Sequence, residues 1–274
     1  MISYVQPTWR TKTKRMNEAY NCQLALKMAV TLGVSRMENG AEVYRVEESI
    51  IRVLKSYGIK RTDVYAIPNI LMVTIETDEE ISFTKMRRIF HRNPNFEKVI
   101  QLNDFARKLS AQPIPLNEAF QRLREIDGLK NYSKPVNWIS YLLAAAAFVV
   151  MIGGNVGDAI VAILCAAVGR LVCVPMERYH ANGFFVTLVM SFLHNIVAFI
   201  CAEAVVGLHP NIIITGTLML LFPGVAFMTA IRDVIAKDLS AGMFEGLEAI
   251  VVACAIAVGS ALAYALVPMI VRVI

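Results

Sequence analysis

Within eleven residues of the last third of the chain lie the types from which a site for a small polar solute can be built: Pro223, Gly224, Thr229, Arg232 and Asp233. Proline donates no backbone hydrogen bond and clashes with the carbonyl one turn before it, and glycine loosens the next peptide. In an apolar stretch such a break turns freed carbonyls and helix ends toward a polar solute. An ordinary kink uses the same pair, so position alone leaves both readings open. Arg232 has a planar fork that can grip a carboxylate through two parallel hydrogen bonds, and Asp233 can hold an ammonium or carry a proton. Arg232 also fits a plain charged flank, and Asp233 with Lys237 fits an interfacial i,i+4 pair. Glu203 and Glu245 are acids near the ends of apolar stretches, and with Asp233 they are the candidates for carrying a coupled proton. An acid costs roughly 2.5 kcal/mol or more at the centre of a bilayer and faces a cavity when present. Asn195, beside His194 and deep in another apolar stretch, either lines a polar path or makes an interhelical hydrogen bond worth about 1 kcal/mol or less.

These residues need elements to hold them, and the charge pattern says what kind. Of 27 basic and 22 acidic residues, 22 and 15 fall before Pro135, leaving five and seven after it. The first part is therefore a +7, water-facing module and the second a lipid-soluble one at −2. Five spans are expected in the second part, at about 136–153, 159–175, 183–205, 212–231 and 248–271, each near the length a hydrocarbon core of roughly 30 Å requires. Trp138 sits where an interfacial anchor belongs, and Arg170 is close enough to Pro175 to snorkel. The loops after spans two and four hold Arg178, Arg232 and Lys237, and Lys130 and Lys134 precede the first span. The loops on the other side hold no Lys or Arg. That bias predicts a cytoplasmic N-terminus and an opposite C-terminus. Anionic lipid accounts for the positive first part without nucleic acid. The five cysteines form no CxxC pair and read as small buried hydrophobes, with no metal site or disulfide framework.

Residues 1–134 read as a small α+β domain. Helices are expected at Asn17–Asn39, Ala41–Tyr57, Phe96–Leu109 and Leu116–Ile126. Strands are expected at Asp63–Ile67 and Ile70–Glu76, with a hairpin at Pro68-Asn69, and a third at Ile81–Ile89. Val43, Val46, Ile50, Val53 and Leu54 form the apolar stripe of the second helix. No nucleotide loop, HExxH or GxSxG motif is present, so no cofactor is implied. His91 lies in a basic run with no visible catalytic partner.

Two segments resemble a known family. One runs Glu38-Asn39-Gly40-Ala41-Glu42-Val43-Tyr44-Arg45-Val46-Glu47. The other runs Leu221-Phe222-Pro223-Gly224 to Thr229-Ala230-Ile231-Arg232-Asp233, followed by Ser240-Ala241-Gly242. In this order and layout they resemble the threonine/serine exporter family across nearly the whole chain. The resemblance implies a cytoplasmic domain marked by Gly40, Glu42, Arg45 and Glu47, about five spans with a Pro-Gly break, and export of a small polar metabolite. Thr229 stands where relatives often carry Asn, Ala226 where some carry a second proline, and Glu245 near a position that is basic in some. The resemblance thus implies an exporter more firmly than threonine itself, and a short organic acid stays open as substrate. It also implies a second hydrophobic half, fused in some members and a separate small membrane protein in others. With Ile274 last, a separate subunit is expected. An odd number of spans would make such a half inverted in topology, a common transporter plan.

The expected function is one subunit of a secondary exporter in the cell membrane, coupled to protons because no nucleotide motif is present. A membrane-anchored hydrolase-like enzyme would need a nucleophile–base pair that the first part does not display. A membrane sensor or scaffold would bind a ligand without flux.

Overall fold

The computed structural model describes residues 8–77, 80–90, 92, 94–129, 132–179 and 181–271, with side chains from residue 19 to 267 among them. His91 and Lys130 lie outside the described residues. The chain divides into two compact units, Met1–Asn131 and Tyr132–Ile274.

In the first unit, α1 (Thr8–Glu38) precedes α2 (Val43–Ser56), and a meander of β1 (Arg61–Ile67), β2 (Ile70–Glu76) and β3 (Ser82–Arg88) follows, then α3 (Phe96–Ala111) and α4 (Leu116–Asp127). The first helix starts well before the expected Asn17, because Thr8–Met16 is polar and leaves no apolar period to read. At the end of α1 the amides of Gly40 and Ala41 reach back to Met37 and Arg36, 3.1 and 2.9 Å away, and Gly40 has φ +89°. That is the left-handed helix stop that glycine makes without strain. The α2 stripe is buried as expected. The two-residue link at Pro68-Asn69 sets β1 against β2 with Ile67 opposite Ile70, and β3 pairs antiparallel on the far side of β2. Leu71 of β2 and Ile50 of α2 close on Gly33 of α1, where an added Cβ would meet them at 2.7 and 2.6 Å. Met28, Leu32, Val53, Leu102, Phe105 and Leu123 form the second cluster of this core, which joins α3 and α4 to α1 and α2.

The second unit is all helical: α5 (Lys134–Met151), α6 (Val156–Arg178), α7 (Gly183–Ala204), α8 (Pro210–Leu218), α9 (Gly224–Ile235) and α10 (Leu239–Val271). Four of these, α5, α6, α7 and α10, are long and apolar enough to cross a membrane. Together with the small α+β first unit they make this a predominantly helical, multi-pass membrane protein. The fourth expected span, 212–231, is not one helix. It is divided into α8 and α9, with Pro223 as the residue that starts the second piece. Hydropathy alone cannot register that division, since the residues on both sides are equally apolar. The fifth begins at Leu239 rather than near 248, because Glu245 and Glu248 lie inside the helix instead of at its end.

Contacts give the course of the broken segment. His209, just before α8, accepts a position at the start of α6: its amide donates to Asp158 Oδ1 at 2.8 Å, and its ring Nδ1 lies 3.0 Å from Oδ2. By Leu221 the chain has reached Cys173, Val186 and Met190, at the end of α6 and the start of α7. So α8 and the turn after it traverse the bundle antiparallel to α7. In between, Gly216 lets α8 touch α5 closely, since a Cβ there would lie 2.9 Å from the backbone N and Cα of Val149. The last helix then runs alongside α7 in the same direction: Gly259 sits against Phe192, and Tyr264 packs edge-on against Phe199, centroids 4.8 Å apart. At about 1.5 Å per residue, Glu245 lies roughly 10 Å beyond the level at which α7 begins. The first third of α10 and α9 therefore form a helical hairpin that extends past the bundle, on the end where α5 starts.

Asp158 is fully buried and also caps α6 reciprocally with Asn155. We expect Asp158→Ala to lower stability by about 3 kcal/mol, because three donors lose their acceptor in a buried position. Thermal unfolding of the detergent-solubilised chain measures it, and an unchanged midpoint would show that the link carries no weight.

Candidate functional site

The hairpin brings together four of the residues singled out by type. Thr229 and Asp233 stand one turn apart on α9, so both face α10. On α10 the buried positions Ala241, Glu245 and Ala249 repeat every four residues and form the opposing line. Gly242 makes the approach close: an added Cβ would lie 2.9 Å from the Ala230 carbonyl and 3.0 Å from the Val234 amide. Gly246 lies next to Ala230, with a Cβ there 3.8 Å from its methyl. The small-xxx-small pair thus forms a contact within the chain. Across this seam the Thr229 hydroxyl donates to the Glu245 carboxylate. Asp233 Oδ1 accepts from Arg232 Nε at 3.1 Å and Nη2 at 2.8 Å. Asp233 Oδ2 is buried and has no hydrogen-bond partner among the described residues. Asp233 and Glu245 are 2% and 3% exposed, so two carboxylates share one dry seam. The expected Asp233–Lys237 pair does not form. Lys237 turns left-handed with φ +67° in the hairpin tip, and Asp233 takes Arg232 instead. Because α9 and α10 meet at Gly242, Gly242→Leu is expected to force the hairpin open, with new cleavage in α9 and α10 on limited proteolysis and the first unit's proteolysis pattern unchanged.

Pro223 and Gly224 begin α9, where the Gly224 amide bonds to the Phe222 carbonyl at 2.8 Å. Asn195 lies elsewhere, in the bundle. Its Nδ2 donates to the Ser191 carbonyl at 2.8 Å and to Ser260 Oγ at 3.1 Å, and Ser191 Oγ is 2.9 Å from Ser260 Oγ. Among the described residues Asn195 Oδ1 has no hydrogen-bond partner, and its neighbour His194 is fully buried. Counted along α10 from Ser260 to Glu245, this polar seam is roughly 20 Å from the hairpin cluster. The residues expected to form one site are therefore divided between two. Glu203 joins neither: it is exposed at the far end of α7.

In the first unit Gly40 makes the α1 stop already described. Glu42 pairs with Arg45 at 2.6 Å, the Arg45 carbonyl accepts from the buried Arg36 at 3.2 Å, and Glu47 accepts from the Ala66 amide at 2.6 Å. The four motif residues thus hold the α1–α2–β1 junction. Burial without a carboxylate partner, and the nearby Arg45, pull the Arg36 guanidinium down to about 10, so it stays charged at neutral pH.

A family model for threonine/serine exporters, ThrE, matches residues 27–267. The chain belongs to the threonine/serine exporter family. No curated protein and no solved structure matches it. As an exporter-family chain it carries the Pro-Gly break and both polar clusters inside the matched range.

Sequence reasoning missed Asp158 with His209, and it read Arg170 only as an interfacial anchor. A crevice of about 390 Å³ lies beside the break, lined by Tyr141, Arg170, Glu177, Thr187, Met190 and Leu221 among others. The signal for it was two opposite charges, Arg170 and Glu177, two turns apart on one face of a largely apolar helix.

Proposed function

We propose that this chain is one subunit of a proton-coupled exporter of threonine, serine or a short organic acid, with residues 1–134 as a cytoplasmic domain and residues 135–274 as the membrane domain. Family membership supports export. The observation that carries the coupling is the Thr229–Asp233–Glu245 seam: two buried acids, one with an oxygen that has no hydrogen-bond partner. Holding two charges there is costly, and an arriving proton relieves the cost. In this reading Pro223 and Gly224 hinge the hairpin against the bundle, and Arg232 releases or holds Asp233 as the proton moves. Asn195 lines the path through the bundle. Glu203, exposed at the far end of α7 and away from the buried acids, is the weakest of the proton candidates.

The loop charges favour a cytoplasmic N-terminus and an opposite C-terminus. A separate small hydrophobic membrane subunit completes the transporter in this reading. The hairpin supports it: Phe227, Met228, Ile235, Met243, Phe244 and Leu247 are exposed on a segment that extends past the bundle.

The test is reconstitution of the full chain, with and without that subunit, in vesicles loaded with labelled threonine, serine or succinate and carrying an imposed pH gradient. We expect efflux of one of them to require both proteins and to collapse with a protonophore. Equal flux after the gradient is removed would exclude proton coupling, and transport by this chain alone would exclude the two-subunit arrangement.

A further inference from the structure

We propose that the crevice beside the helix break seats the exported α-amino acid, with the substrate carboxylate on Arg170 and its ammonium on Glu177. This rests on the exporter reading and moves the carboxylate-binding role from the hairpin to the bundle. In the hairpin, Arg232 already chelates Asp233 with two of its nitrogens. In the crevice, Arg170 Nη1 and Glu177 Oε1 are 3.3 Å apart, long for a charge-assisted hydrogen bond. Their side chains are 32% and 50% exposed, so the pair itself contributes little and exchanges easily for a ligand. Opposite charges at the mouth of one cavity are the complement of a zwitterion: each end of the ligand replaces the partner that the other residue gives up.

Two further observations point to an occupant. The guanidinium of Arg170 lies over the Tyr141 ring, 5.6 Å from its centroid, which fixes the plane of the fork. The Tyr141 hydroxyl is buried and has no hydrogen-bond partner among the described residues. A buried hydroxyl of this kind is normally satisfied, and once movement of the turn between α8 and α9 opens the crevice onto it, the side-chain hydroxyl of threonine or serine would satisfy it. Thr187 lines the same crevice, as do Leu220 and Leu221 of the irregular turn between α8 and α9. Closing or opening that turn changes the crevice, which ties occupancy to the break. The volume, about 390 Å³, is at the small end for ligand pockets. The same chemistry, an amine and an anion on one molecule, is also offered by a phosphatidylethanolamine headgroup.

The experiment is counterflow of labelled threonine by the reconstituted transporter, in phosphatidylcholine vesicles and in vesicles that also contain phosphatidylethanolamine. Threoninol, which lacks the carboxylate, serves as competitor. Wild-type protein should prefer threonine to threoninol. Arg170→Gln should weaken threonine on the order of 10- to 100-fold, leave threoninol as it was, and so erase the preference. Glu177→Gln should weaken both ligands alike. Arg178→Gln, at the same helix end but outside the crevice, should change neither. A preference kept in Arg170→Gln while wild type transports threonine overturns the inference and leaves the exporter reading standing. Failure of wild type to move any α-amino acid overturns both. For an occupancy readout that does not depend on the charge variants folding, Thr187→Cys is labelled with a maleimide against the wild-type background. Protection by threonine in phosphatidylcholine supports the site, and protection by phosphatidylethanolamine alone overturns it.

Discussion

Net threonine efflux by the Glu245→Gln protein is expected to fall on the order of a hundred-fold, the range over which a positioned proton-transfer group contributes, while threonine–threonine exchange stays near the wild-type rate. Glutamine keeps an acceptor for the Thr229 hydroxyl, so the hairpin stays closed against α10. It cannot take up or release a proton. Exchange returns the carrier loaded in both directions and needs no net proton movement, so it should survive. Asp233→Asn is expected to behave alike, with the added consequence that the Arg232 guanidinium loses the Asp233 charge. Both rates are read from the same vesicles by switching the external solution. Loss of exchange together with net efflux would mean that the seam is structural, and unaffected net efflux would remove it from coupling altogether.

The second large effect is on stability. Arg36→Ala is expected to unfold the first unit at ordinary temperature or bring it close to unfolding. The side chain is 3% exposed and bridges three elements, donating to the Arg45 carbonyl, Ser49 Oγ and Asn103 Oδ1. Removing it leaves these acceptors unsatisfied beside a cavity, a cost of about 3–5 kcal/mol against a typical total of roughly 5–15. Arg36→Lys should recover little, because an ammonium cannot span the same three acceptors. Limited trypsin digestion of the full chain in detergent reports it, with cleavage expected throughout the first unit and the membrane unit retained. Resistance like that of wild type would show that the buried arginine is dispensable to the fold.

Legibility followed the range of each interaction. The α2 stripe and the Pro68-Asn69 hairpin were readable because their signals lie within a few residues: helical period in one, turn chemistry between two β-rich runs in the other. The start of α1 was not, since polar helix-compatible residues carry no period. Hydropathy located every apolar segment and ran α8 and α9 together as one span, while the Pro223-Gly224 pair marked the break inside it, which the structure makes a full division into two helices. In the candidate site, Thr229 and Asp233 share a helix face by spacing alone, while the close approach at Gly242 that buries Glu245 depends on how α9 folds back on α10 and is set by tertiary structure. Asn195 was grouped with them by residue type, and tertiary structure separated it. The Asp158–His209 contact joins residues 51 positions apart in sequence, and no local pattern encodes it. The crevice was hidden for the same reason: Tyr141 belongs to α5, Arg170 to α6, Thr187 to α7 and Leu221 to the break.

The most direct test of export is efflux from cells lacking this gene, fed a labelled threonine dipeptide or a labelled serine dipeptide and supplied with this chain, the proposed small membrane subunit, or both. Faster release of the free amino acid is expected when both are present. Release no faster than in empty cells, with both proteins found in the membrane, would contradict it.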